Sequence, residues 1–233
     1  MHAWRNIRST IISLTIFTIG ACGGGGGSAL PSAAPATVVG VAAMGAPIVG
    51  TVTLKDVVGV TRVATTSAAG AFSLDVSGLT PPFFLLAANA PGTVAFYSIA
   101  SAPGIANINP LSHLVVVAAA MHVDASTRNP ADVFADPAKF KSISTTQLQA
   151  ATAMVMGKMS TRFRAMLSAQ GALGADPITD LYTIGNGLDK TFDALALTLD
   201  PVTGTITEQD AATGIVSTVA TQTEIRPIHT PSS

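Results

Sequence analysis

Short apolar runs separated by Gly and Pro fill the chain from Ala36 to Ala100. ATVVGVAA (36–43) is rich in β-branched residues. PIVGTVTLKD (47–56) sets Val49, Val52 and Leu54 against Thr51, Thr53 and Lys55, with a phase slip at Gly50 that reads as a bulge. GVTRVATT (59–66) follows a turn at 56–59. AFSLDV (71–76) alternates cleanly, with Phe72, Leu74 and Val76 on one face, and Ala69-Gly70 marks the turn before it. FFLLAAN (83–89) follows Pro81-Pro82, and GTVAFYSIA (92–100) follows Ala90-Pro91. Strands recurring every eight to twelve residues between such punctuation predict an antiparallel sandwich.

At Asn109 the period changes from strand to helix. Asn109 is placed as an N-cap and Pro110 as the first helical residue of NPLSHLVVVAAAM. A helix apolar nearly all round is a buried one. Asn129-Pro130 and Asp136-Pro137 repeat the cap-then-proline start for two short helical turns. Ser144 and Gln147 form a capping box that opens the longest predicted helix, running to Ala169 with Gly171 beyond it. Its stripe is Leu148, Thr152, Val155, Met159, Phe163 and Met166. A further helix is predicted over 188–195, and LALTLD with TGTITEQD reads as a hairpin. The fold class is therefore α+β: a small antiparallel β-sandwich over 37–108, then a helical domain with a C-terminal β-hairpin over 109–222, and a loose tail over 223–233.

The first residues follow a third pattern. Arg5 and Arg8 precede a mostly apolar stretch from Ile11 to Ile19. That is about ten residues, against roughly twenty for a membrane span. A basic front, a short apolar core and small residues at its end are the parts of a secretory signal peptide, here 1–21. Ile19-Gly20-Ala21-Cys22 resembles a bacterial lipobox. The resemblance implies cleavage before Cys22 and acylation of its thiol. Cys22 is the only cysteine of the 233 residues, so it forms no intrachain disulfide. Two or more acyl chains would hold the protein stably on a membrane. Residues 22–36, the cysteine, five glycines and then mostly Ser, Ala and Pro, read as a tether with a span near 20 Å by the scaling of flexible linkers. Gly23 after the cysteine, in place of Asp, resembles the sorting pattern that permits export to the outer membrane.

GAPIVGTVTLKD, then Gly59 and VATTSAAGAFSLDV ending at Gly78-Leu79, resembles a carboxypeptidase regulatory-like domain, a transthyretin-like sandwich. The resemblance implies a spacer or interaction module. It departs at Ser67-Ala68-Ala69-Gly70, where the family often carries Asp and Asn, so no metal is expected there. The strand region, the Asn-x-Asn-Pro-Leu helix start and Gly-Leu-Asp-Lys-x-Phe-Asp (187–193) together resemble a recurring class of proteobacterial lipoproteins. That likeness implies architecture and no activity.

Charge and chemistry narrow the reading further. The chain has 12 Lys+Arg and 13 Asp+Glu, a net charge of −1, which becomes −3 once Arg5 and Arg8 are cleaved away. A chain so balanced offers no basic patch for nucleic acid. His113 and His122 lie nine residues apart, on opposite helix faces, and His229 stands alone in the tail. No metal and no cofactor are expected. No G-x-S-x-G nucleophile turn occurs, and Gly23–Gly27 lacks the Lys-Ser/Thr of a phosphate loop. Asp124, Asp136, Asp176 and Asp200 read as caps and turns. Met154, Met156, Met159 and Met166 read as core filler, with an adaptable binding surface as the alternative. Lys55 reads as solvated, with an isopeptide bond to Asn89 or Asn107 as the alternative.

The expectation is thus a lipid-anchored envelope protein, on the outer membrane, with a noncatalytic binding or scaffold role. It meets the membrane through Cys22 and an envelope protein or glycan through its body. The alternative is a carbohydrate-binding module, for which Tyr97 and Tyr182 are the candidate glycan contacts. A hydrolase whose site brings together His113, His122 and Asp124 is the third reading.

Overall fold

The computed structural model describes residues 36–124, 129–200 and 205–220. The signal peptide, the lipobox (Ile19, Gly20, Ala21, Cys22), the tether up to residue 35 and the tail with His229 lie outside the described residues.

Seven strands come first: β1 (Thr37–Val41), β2 (Gly50–Lys55), β3 (Thr61–Thr65), β4 (Ala71–Asp75), β5 (Phe83–Asn89), β6 (Ala95–Ala100) and β7 (Gly104–Ile105). They form two sheets, ordered β4-β1-β7 and β3-β2-β5-β6. Every pairing is antiparallel except β1 with β7, a two-residue parallel contact too short to leave a pattern in the sequence.

The register explains the composition of the larger sheet. Leu54 pairs with Leu85 and Val52 with Ala87, so these four share one face. They join Val38, Phe72 and Leu74 of the smaller sheet in a single core. The opposite face carries Phe84, Tyr97 and Ile99, which are also buried. Helices cover it: the Phe84 ring lies 5.2 Å from Phe140 and 6.0 Å from Phe134. A strand buried on both faces has no polar side to show, which is why FFLLAAN is an unbroken apolar run.

Gly50 opens β2, and the register with β5 runs on without a bulge. The phase slip has another cause: Val49 precedes the strand and is exposed, while a Cβ at Gly50 would collide with the Ala88 carbonyl oxygen. Ser67 organises the turn before β4. Its hydroxyl accepts from the N–H groups of Ala69 and Ala71, and Gly70 adopts a φ of +73°.

Helix α1 (Pro110–Val123) is capped by Asn109, whose side chain accepts from Ser112 N–H, while the Ser112 hydroxyl accepts from Asn109 N–H. The same hydroxyl reaches the Tyr97 carbonyl at 2.9 Å, so α1 closes the outer edge of β6. Helix α2 (Pro130–Ala135) and a 3-10 turn (Pro137–Lys139) start at Asn129 and Asp136 as the cap-proline pairs predict.

The long predicted helix is two helices, α3 (Thr145–Lys158) and α4 (Thr161–Ala169). Ser160 breaks it. Its Oγ accepts from Phe163 N–H to cap α4 and donates to Glu208 at 2.6 Å. Helix α5 (Gly187–Ala194) leads into β8 (Leu195–Leu199), β9 (Ile206–Asp210) and β10 (Val216–Ala220), ordered β10-β9-β8. The hairpin gains a third strand. Residues 211–218 are exposed, so β10 lacks the apolar alternation that would have revealed it.

One core atom stands out. The Ser98 hydroxyl sits opposite Leu85 between the sheets, fully buried and without a hydrogen-bond partner. Replacing Ser98 by Ala removes that desolvated group and raises stability by about 1 kcal/mol in a urea titration. A loss of stability would refute the placement of that hydroxyl.

Candidate functional site

Two asparagines shape a cavity beside the β6–β7 connection. Asn107 follows β7, and its Oδ1 accepts from Val41 N–H while its Nδ2 donates to the carbonyls of Ile178 and Asp180. Asn109 donates through Nδ2 to the Pro177 carbonyl at 2.7 Å. Both are buried, and together they fasten the 177–180 segment beside the strands. The Asn-x-Asn-Pro-Leu start is therefore a double clamp as well as a helix cap.

The clamp leaves a groove of about 340 Å³ between the β6–β7 connection, α3 and residues 176–179. Ile99, Leu148 and Ile178 form its buried floor. Its polar lining is Ser101, Thr145, Gln149, Thr152, Thr179 and Asp176. Thr145, Leu148, Gln149 and Thr152 are spaced at three and four residues and so occupy one face of α3. A second cavity of about 300 Å³ continues beyond Gln149, Thr152 and Asp176 toward Met156 and Leu173. Among the described residues, Asp176 is the only charged side chain lining either cavity, and no aromatic ring lines them. Its Oδ1 accepts from the N–H groups of Ile178 and Thr179, which sets the turn that forms this wall.

No family model, curated protein or solved structure matches this chain. The placement of its own residues thus carries the functional argument.

Tyr97 is a core residue at 8% exposure, packed against Phe84, Phe134 and His113. No sugar reaches its ring, which corrects its assignment as a candidate glycan contact. Burial also raises its phenol above the ordinary value. Tyr182 is half-buried beside a cavity of about 120 Å³, and its hydroxyl donates to Asp189 at 3.0 Å. Burial, then the Asp189 charge, pushes that phenol far up.

His113 packs edge-on against Phe96 and Tyr97 with Nδ1 buried and unpartnered, and desolvation lowers its pKa to about 4. His122 is exposed on α1 and Asp124 is that helix's C-cap residue. The cavity lined by His113 includes neither of them. Among the described residues no group of three or more His, Cys, Asp or Glu side chains is arranged to hold a metal.

The buried acids serve the backbone. Asp56 accepts from the N–H groups of Val58, Val60 and Thr80. Asp210 accepts from Ala212 and Thr213 N–H and pairs with Arg162. Asp189 accepts from Gly45 N–H, Gly185 N–H and the Tyr182 hydroxyl. Lys55 is not the solvated lysine of the sequence reading. Its Nζ donates to the Phe134 carbonyl at 2.7 Å and lies over the Phe134 ring. Met159 is fully buried, whereas Met154, Met156 and Met166 pack partly buried against the core.

The sequence reading identified Asp176 only as a turn residue and missed Thr145, Gln149 and Thr179 as lining. Neutral surface residues scattered over three segments carry no local signal; only the tertiary clamp brings them together.

Proposed function

We propose that this chain is a lipid-anchored envelope protein whose folded body is a noncatalytic binding or scaffold module. The observation that carries the reading of the body is the groove beside α3, whose lining includes one carboxylate, Asp176. Hydroxyl and amide groups rim an apolar floor, an arrangement suited to holding a ligand. The acids of the interior are committed to backbone N–H groups, to the Ser160 and Tyr182 hydroxyls and to Arg162, a use of carboxylates that supports a scaffold rather than a reaction centre. The lipobox at Ile19-Gly20-Ala21-Cys22 supports the anchor, and the family resemblance of the strand region supports a spacer or interaction module.

The anchor is tested by labelling cells with radioactive palmitate. Wild-type protein takes up label and fractionates with the outer membrane; Cys22→Ala takes up none and is released in soluble form. Equal labelling of the two would remove the anchor from this account. For the body, cross-linking in intact cells recovers an envelope partner from wild type, and Gln149→Trp, which fills the groove, loses it.

A further inference from the structure

Building on that reading of the groove, we propose that it takes an extended peptide carrying a basic side chain, added as a strand to the open edge of β7. Three independent features lead there.

The first is the backbone. The pairs Val38–Gly104 and Val39–Ile105, with Ala106 N–H donating to the Val39 carbonyl, turn the N–H and C=O of Ile105 away from β1. Asn107 N–H, two residues on, points the same way and donates to Ile178, which lines the groove. The outward side of β7 is thus the groove side. The edge is closed at Asn107 and open at Ile105, whose backbone groups make no hydrogen bond on that side among the described residues. An unpaired strand edge is a template for another extended chain.

The second is shape. Lining residues on α3 run from Thr145 to Met156 across the two cavities. Eleven helical steps span about 16 Å, the length of about five extended residues. Leu148 with Ile105 at one end, and Met156 with Leu173 at the other, offer apolar contacts on either side of the centre.

The third is charge. Asp176 stands at the junction of the cavities as the one acidic or basic lining residue among the described residues, and its Oδ1 is engaged by the turn. A lysine or arginine between apolar neighbours complements it, and an acidic residue there is repelled. A glycan is the weaker occupant, because no aromatic ring lines either cavity for a sugar face to stack on.

The probe is a fluorescein-labelled hexapeptide of alternating valine and threonine with one central lysine, titrated into the detergent-purified full chain and read by anisotropy. Saturable binding is expected, weakened about tenfold when the lysine is replaced by glutamate. Asp176→Asn keeps the acceptor for Ile178 and Thr179 N–H, so the turn survives. It weakens the lysine peptide about fivefold and leaves a peptide with central threonine unchanged. N-methylation of the peptide's backbone amides abolishes binding by either protein. Absence of saturable binding, or binding indifferent to Asp176→Asn, overturns the inference. If no peptide binds but Gln149→Trp still loses the cross-linked partner in cells, strand addition falls and the binding-module reading stands. If Gln149→Trp loses nothing in cells either, both fall.

Discussion

Replacing Asp189 by Ala lowers the unfolding free energy by about 3 kcal/mol, because three donors, bonded to a buried carboxylate, lose their acceptor at once. The carboxylate is fully buried and accepts from Gly45 N–H at 3.2 Å, Gly185 N–H at 2.7 Å and the Tyr182 hydroxyl at 3.0 Å. These partners come from the β1–β2 connection and from the segment preceding α5. The side chain of Asn186, the N-cap residue of α5, makes no capping bond, so Asp189 is what ties the start of that helix. Asp189→Asn keeps an acceptor and loses the charge, so it falls between wild type and Ala. Urea denaturation of the three proteins gives the order. An Ala variant within about 1 kcal/mol of wild type would mean that water replaces the carboxylate, contrary to the packing described.

The second large effect is acid sensitivity from His113. Desolvation holds its folded pKa at about 4, below the unfolded value of 6.5. The unfolded chain therefore binds more protons between those two values, and stability falls as pH drops from about 6.5 to 4. The loss is at most on the order of 3 kcal/mol, the shift converted at about 1.4 kcal/mol per unit. Above pH 6.5 both states are neutral at this residue and the contribution is level. The informative quantity is the difference between wild type and His113→Leu, which isolates this residue. Thermal unfolding followed at intervals from pH 7 to pH 4 yields a shallower acid slope for the variant. Parallel slopes would show that His113 is solvated.

Much of the architecture was legible because its signals are local. Asn109-Pro110, Asn129-Pro130, Asp136-Pro137 and the Ser144–Gln147 box each declare a helix start within four residues, and all four occur where expected. The alternation in AFSLDV fixes β4 just as directly. What escaped depends on partners distant in the chain. Ser160 looks like an ordinary helix residue until Glu208 is brought against it across a separation of 48 residues. Strand β7 exists because Ala106 and Ile108 donate to β1, and β10 because β9 offers it an edge. Tyr97 was a candidate contact only as one of two tyrosines in the chain, and the helical layer that brings Phe134 against it leaves no local pattern. The groove was the least legible feature, since the asparagine clamp that creates it joins positions about seventy residues apart.

The central position of β1 has a mechanical consequence. The described fold begins at Ala36, and the next five residues form the middle strand of their sheet, flanked by β4 and β7. Hydrogen bonds between strands run across the strand axis. A tug arriving from upstream along that axis would load both ladders in shear, so their bonds would have to yield together instead of peeling open one by one. A pull applied ahead of Ala36 would thus take hold of the body by a thread seated on both sides.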